Sequence, residues 1–243
     1  MRHLLAIALG LVITLGRLGD YAAGARDRLE HVVEELRQVL DFLERLEHRD
    51  ALTAMGNQAD ALARLGDYAG ARDLEEQILE ARTRGLGPEH PDTLASMNDL
   101  AVTLAQHGDY AAARDLLQQV VEGFTRDLGP GHPVTLRAMG NLANTLEGLG
   151  DYAGAREFQE QVLETRTRVL GLEHPDTLTS TSDLAETFGD LGDHARARDL
   201  LEQALEARAR VLGPKHPDTL RSKDLLDAVL AEAVEEAAES SAP

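Results

Sequence analysis

The chain has 243 residues, no cysteine and no tryptophan, and 43 acidic against 24 basic side chains, a formal charge of −19. Without thiols there can be no disulfide and no thiolate-held metal, and so acidic a chain repels phosphate backbones, which argues against a nucleic-acid partner. With four Phe and four Tyr in all, the core has to be Leu, Ala and Val, a composition that suits packed helices.

The chain opens on an apolar run, residues 4–15. It is too short to span a bilayer, which takes roughly 17–25 residues. Three readings stay open for it. It is the first helix of a degenerate structural unit covered by a partner or a second copy; or the apolar core of a signal peptide behind Arg2, with small residues at Ala22–Ala25; or the edge of a longer array. Gly19-Asp20-Tyr21 follows, and then Leu29, Leu36 and Leu43 repeat every seven residues. That stripe either packs on the next unit or forms a short coiled coil. Residues 1–50 are therefore expected to form a degenerate first repeat, with a possible homodimer contact through 4–47.

From residue 51 the pattern becomes regular. His-Pro-Asp-Thr-Leu begins at His90, His174 and His216, and His-Pro-Val-Thr-Leu at His132, each 42 residues from the next. Gly-Asp-Tyr or Gly-Asp-His recurs on the same step at Gly66, Gly108, Gly150 and Gly192. A fixed period of this size marks a stacked array. Within one unit, Leu94, Met97, Leu100, Ala101 and Leu104 trace one face of a helix. Gly108 ends it, Asp109 caps the next, and Ala113, Leu116, Leu117, Val120, Val121 and Phe124 trace a second apolar face. Leu128-Gly129-Pro130 closes the pair. Alanine recurs at 59, 101, 143 and 185, and again at 71, 113, 155 and 197, so two fixed points of close helix approach are expected. Four such helix pairs fill 51–217. Residues 218–239 read as a capping helix with Leu220, Leu225, Leu226, Val229, Leu230 and Val234 inward, and 240–243 as a disordered tail.

Leu142-Ala143 followed by Gly150-Asp151-Tyr152-Ala153-Gly154-Ala155 resembles the tetratricopeptide repeat. The 42-residue step and the Leu-Gly-x-x-His-Pro-Asp-Thr-Leu loop are similar to its kinesin-light-chain-like subgroup, known also in bacterial arrays. The resemblance covers about residues 52–226. It implies an all-α fold, a right-handed α-solenoid of antiparallel helix pairs with a C-terminal capping helix. It further implies a concave face, lined by first helices, that holds peptides or partner proteins.

By that resemblance the stripe Ala95, Asn98, Val102 and Ala105 and its equivalents line the groove. The candidate binding residues are Asp60, Asn98, Val102, Arg137, Asn144, Glu147, Ser182 and Glu186. The asparagines can pair with a peptide amide, Arg137 can fork onto a carboxylate, and the acids can take Lys or Arg. The loop residues His48, His90, His132, His174 and His216 are kept apart by the solenoid translation, so they read as backbone-bonding residues at helix starts rather than a metal set. The acidic runs Glu34-Glu35 and Glu75-Glu76 read as solvated helix faces. No phosphate loop, dinucleotide glycine pattern or His-Glu-x-x-His motif is present. The expectation is a non-catalytic interaction module without cofactor or metal. It binds a neutral or basic peptide or protein and resides in the cytoplasm, or outside it if residues 1–25 are a signal. Two other readings are a scaffold that self-associates through its N-terminal end and a detached sensor array of a signalling ATPase.

Overall fold

Proline and glycine set the rhythm of the chain. The structure, a computed structural model, describes residues 49–240, with side chains as far as 234. The expectations for residues 1–48, including the apolar opening run, the heptad stripe and His48, lie outside the described residues, as does the tail from 241. Two units divide the chain, residues 1–58 and 59–243. Of the first, 49–58 are described: they are helical, Leu52 is buried, and the Thr53 hydroxyl donates to the Arg49 carbonyl at 2.9 Å.

Nine helices and no strand occur among the described residues. They are α1 (49–64), α2 (Tyr68–Leu86), α3 (Pro91–Gln106), α4 (Tyr110–Leu128), α5 (Pro133–Gly148), α6 (Tyr152–Leu170), α7 (Pro175–Asp190), α8 (His194–Val211) and α9 (Pro217–Ser240). In the second unit each helix packs chiefly on the one before and the one after, the arrangement of an α-solenoid.

Local chemistry accounts for every boundary of the repeating pair. Proline opens the first helices, where its missing N–H costs nothing. The preceding histidine caps them: Nδ1 of His90, His132, His174 and His216 accepts the backbone N–H two residues on, at 3.1–3.3 Å. Thr135 and Thr219 of the same motif donate back to the loop carbonyls of Gly129 and Gly213, each at 2.9 Å. The first helices end in glycine with positive φ, +92° at Gly108 and +79° at Gly150. The paired bonds Asp109 N to Leu104 O and Gly108 N to Ala105 O then satisfy two open carbonyls. Asp67, Asp109, Asp151 and Asp193 cap the second helices through the N–H three residues on.

The alanine rows mark the closest packing. Ala101, Ala143 and Ala185 on first helices, and Ala71, Ala113, Ala155 and Ala197 on second helices, are all fully buried. Leu100, Leu104, Leu117, Leu142 and Leu146 fill the space around them.

Two expectations need correction. Leu220, Leu230 and Val234 do not face inward along α9; they are 47, 41 and 70 % exposed. The inner face is Thr219, Ser222, Leu225, Leu226 and Val229. Leu94, Leu136 and Leu178, which occupy the register of Leu220 in earlier repeats, are buried, each with the second helix of its own pair following; no further helix follows α9 among the described residues. The second correction concerns Glu75. It is not part of a solvated face but 6 % exposed, because it occupies the register of the core residues Leu117 and Leu201.

Candidate functional site: an acid-lined face of the first helices

Successive first helices place equivalent side chains one repeat apart, and their charges act on one another. Burial pushes the Asp99 carboxyl up, and Asp60 on α1 raises it further, while the hydrogen bond from Asn98 and the charges of Arg137 on α5 and Arg82 on α2 oppose the rise. Burial likewise lifts Asp183 to about 6, with Glu186 and Glu147 adding to it and Arg166 and Arg221 opposing. Glu186 is raised too, first by burial, against Arg221 on α9. Asp60, Asp99, Arg137, Glu147, Asp183, Glu186 and Arg221 are thus electrostatic neighbours along the α1, α3, α5, α7 and α9 series.

Towards the start of the second unit this face opens into a cavity of about 460 Å³. Asp60, Ala63 and Arg64 of α1, Tyr68 and Glu75 of α2, and Asp99, Val102, Thr103 and Gln106 of α3 line it. Thr103 Oγ1 donates to Glu75 Oε1 at 3.0 Å, while Glu75 Oε2 is buried without a hydrogen-bond partner. Burial pushes the Glu75 carboxyl up to about 7; the Thr103 bond opposes this, and the nearby Asp99 and Asp60 charges add to it.

The same positions recur 84 residues on with a different outcome. Gln159 stands at the register of Glu75, Thr187 at that of Thr103, and Glu147 at that of Ala63. Gln159 Nε2 donates to Glu147 Oε1 at 2.9 Å. Thr187 Oγ1 lies 2.6 Å from Gln159 Oε1 and is also bonded to the Glu147 carboxylate. This second copy turns its polar side chains towards one another.

The candidates chosen from sequence separate into two groups. Asp60 and Val102 line the cavity, and Arg137 and Asn144 are exposed on α5. Glu186 is half-buried on the same face. Asn98, Ser182 and Glu147 are engaged within the protein. Asn98 Oδ1 accepts from Asn141 Nδ2 at 2.9 Å, tying α5 to α3. Ser182 donates to the Leu178 carbonyl at 3.2 Å and accepts from Arg208 at 2.9 Å. Sequence reasoning missed Glu75, Asp99, Thr103 and Asp183. The available signal was the core register 75, 117, 159, 201, which reads Glu, Leu, Gln, Leu: two polar residues where helical periodicity demands apolar ones.

Among the described residues no group of three His, Asp or Glu side chains is placed to hold a metal. None of the described helices is long and apolar enough to cross a membrane.

Stacked helix pairs with a polar face on their first helices define a repeat-type protein, a class that generally serves protein-protein interaction. The family model of the tetratricopeptide repeat matches residues 49–126, 114–167 and 134–210, and the chain belongs to that family. Similar solved structures include two of a kinesin-light-chain-type protein of Podosopora anserina with nearly identical TPR-like repeats. One, carrying a single substitution, is 30 % identical, covers 77 % of this chain and 89 % of its own, and has a TM-score of 0.71. The other is 28 % identical over 79 % of this chain and 98 % of its own, with a TM-score of 0.67. BtubC (BKLC) from P. vanneervenii shares the fold at 22 % identity, covering 84 % of this chain and 81 % of its own with a TM-score of 0.68. The array is therefore kinesin-light-chain-like. No curated protein shows a significant match to the chain.

Proposed function

We propose that this chain is a non-catalytic interaction module that binds an extended, neutral or basic peptide segment of a partner protein in a groove along its first helices. Tetratricopeptide arrays in general bind peptides or proteins. The observation that carries the specific reading is the row Val102, Arg137, Asn144 and Glu186, exposed at Arg137 and Asn144 and half-buried at Val102 and Glu186, running on from an acid-lined cavity. Asn144 supplies one donor and one acceptor for a peptide backbone. The acids outnumber Arg137, which sets the charge of the preferred ligand, and the net charge of −19 attracts basic segments from a distance.

The test is selection from a random peptide library on the intact chain, followed by calorimetry with the selected peptides. Neutral or basic sequences are expected. Arg137→Ala/Asn144→Ala/Glu186→Ala should weaken them about tenfold or more, the scale of one or two lost interface contacts. Selection of acidic peptides only, or equal affinity for the triple variant, would reject the groove.

A further inference from the structure

The cavity at Glu75 and its copy at Gln159 share a plan, and the difference between them says what is absent from the first. In the copy, the carboxylate of Glu147 reaches in and the amide of Gln159 meets it. At the cavity, position 63 is alanine, so no side chain reaches Glu75 from that register. One carboxylate oxygen of a side chain 94 % buried is left without a donor, which is costly in a protein interior. The space that Glu147 fills in the copy is open here.

We propose that this cavity is the specificity pocket for a cationic side chain, lysine or arginine, carried by a peptide lying along the first-helix face. The proposal rests on the groove reading above and deepens it. Three carboxyl groups, Glu75, Asp60 and Asp99, line the cavity against the single guanidinium of Arg64. An ammonium brings three donors and a guanidinium five, with no acceptor in either. Ala63, Val102 and the Tyr68 ring give apolar wall against which the methylenes of such a side chain can lie. A neutral ligand group leaves the carboxyls unmatched, and an acidic one is repelled.

Proton linkage follows. With Glu75 lifted to about 7, a cation binds best to the ionised form and drives its proton off. The charged and titratable groups that line the cavity with Glu75 are Asp60 and Arg64 from α1, Tyr68 from α2 and Asp99 from α3, with His107 against the Tyr68 ring and Arg82 and Arg137 acting on Asp99. Affinity is therefore expected to rise about tenfold between pH 6 and pH 8, as the ionised fraction of one such group does.

The experiment titrates the full chain with a peptide chosen by the library selection, bearing lysine, arginine or norleucine at the position that contacts the cavity, and with 1,5-diaminopentane as a free amine. The lysine and arginine peptides should bind at least about tenfold tighter than the norleucine peptide at pH 8, and this preference should shrink by pH 6. Glu75→Gln should abolish the preference. So should Glu75→Gln/Ala63→Glu, which rebuilds the closed network of the second copy and keeps the fold. Binding of all three peptides alike, or an unchanged preference in both variants, overturns the cavity assignment while leaving the peptide groove intact. Diaminopentane binding as tightly as the peptide also overturns it, assigning the cavity to a free amine. Failure of every peptide to bind rejects the groove reading itself.

Discussion

Arg82 Nη1 donates to Ser96 Oγ at 2.6 Å and to the Asp92 carbonyl at 3.0 Å, joining the end of α2 to the beginning of α3. The same joint recurs as Arg166 to Ser180 and to the Asp176 carbonyl, and Arg208 reaches Ser222. In the intervening repeat the pair is Phe124 and Ala138, both buried and packed in one apolar cluster. Arginine goes with serine and phenylalanine with alanine, always 14 residues apart.

That pairing makes a coupled prediction. Phe124→Arg alone buries a guanidinium against a methyl group and is expected to cost about 3 kcal/mol or more. Adding Ala138→Ser supplies the acceptor and should recover about 1–2 kcal/mol of it. Urea unfolding of the two single variants and the double variant checks this; strict additivity would show that the joint is not a unit.

The raised carboxyls predict an unusual pH dependence of stability. An acid whose folded-state value lies above its unfolded value binds more protons when folded, so stability falls as pH rises through that window. For Glu75 the window runs from about 4.5 to about 7, and for Asp183 from about 3.8 to about 6. Glu75→Gln keeps an acceptor for Thr103 and removes the buried charge. It is expected to stabilise the chain at pH 8 by on the order of 1–3 kcal/mol and to have little effect at pH 5. Thermal melts of both proteins across that range supply the measurement, and a difference independent of pH contradicts the assignment.

The cap positions should be worth similar amounts despite different chemistry. Asp151→Ala removes the acceptor for Gly154 N–H, and His174→Ala removes the acceptor for Asp176 N–H. Each is expected to lower stability by about 1 kcal/mol. Asparagine at 151 should restore most of the loss, since its side-chain oxygen can take the same bond. Denaturant midpoints of the three variants test it.

Close helix approach is a requirement of the fully buried alanines only. Ala143→Leu forces a side chain between packed helices and should destabilise by about 1–3 kcal/mol or more. Ala153→Leu, ten residues on and exposed, should change stability by less than about 0.5 kcal/mol. Equal effects in calorimetric melts would mean that the alanine rows are not packing constraints.

The repeating architecture is written plainly in single residues. Proline after histidine starts a helix, Gly-Asp ends one and caps the next, and alanine every 42 residues fixes where helices touch. Each of these acts within one turn of backbone or at one point of contact, so sequence order is enough to read it. The face carrying Val102, Arg137, Asn144 and Glu186 was legible for the same reason, since helical spacing assigns residues to a face.

Which polar groups on that face are free and which are consumed could not be read in the same way. Asn98 and Ser182 belong to the stripe by spacing, yet their polar atoms are taken by Asn141 and Arg208, 43 and 26 residues away. Glu75 looks like half of a surface pair beside Glu76, yet it lies in the core register. Its cavity exists because residue 63, on another helix, is alanine where the later repeat has Glu147. Sequence alone determined the helices, their caps and the repeat that stacks them, because those depend on neighbours along the chain. The tertiary structure decided where charge is buried and where space is left, because burial and hydrogen-bond partners depend on side chains brought together from different repeats.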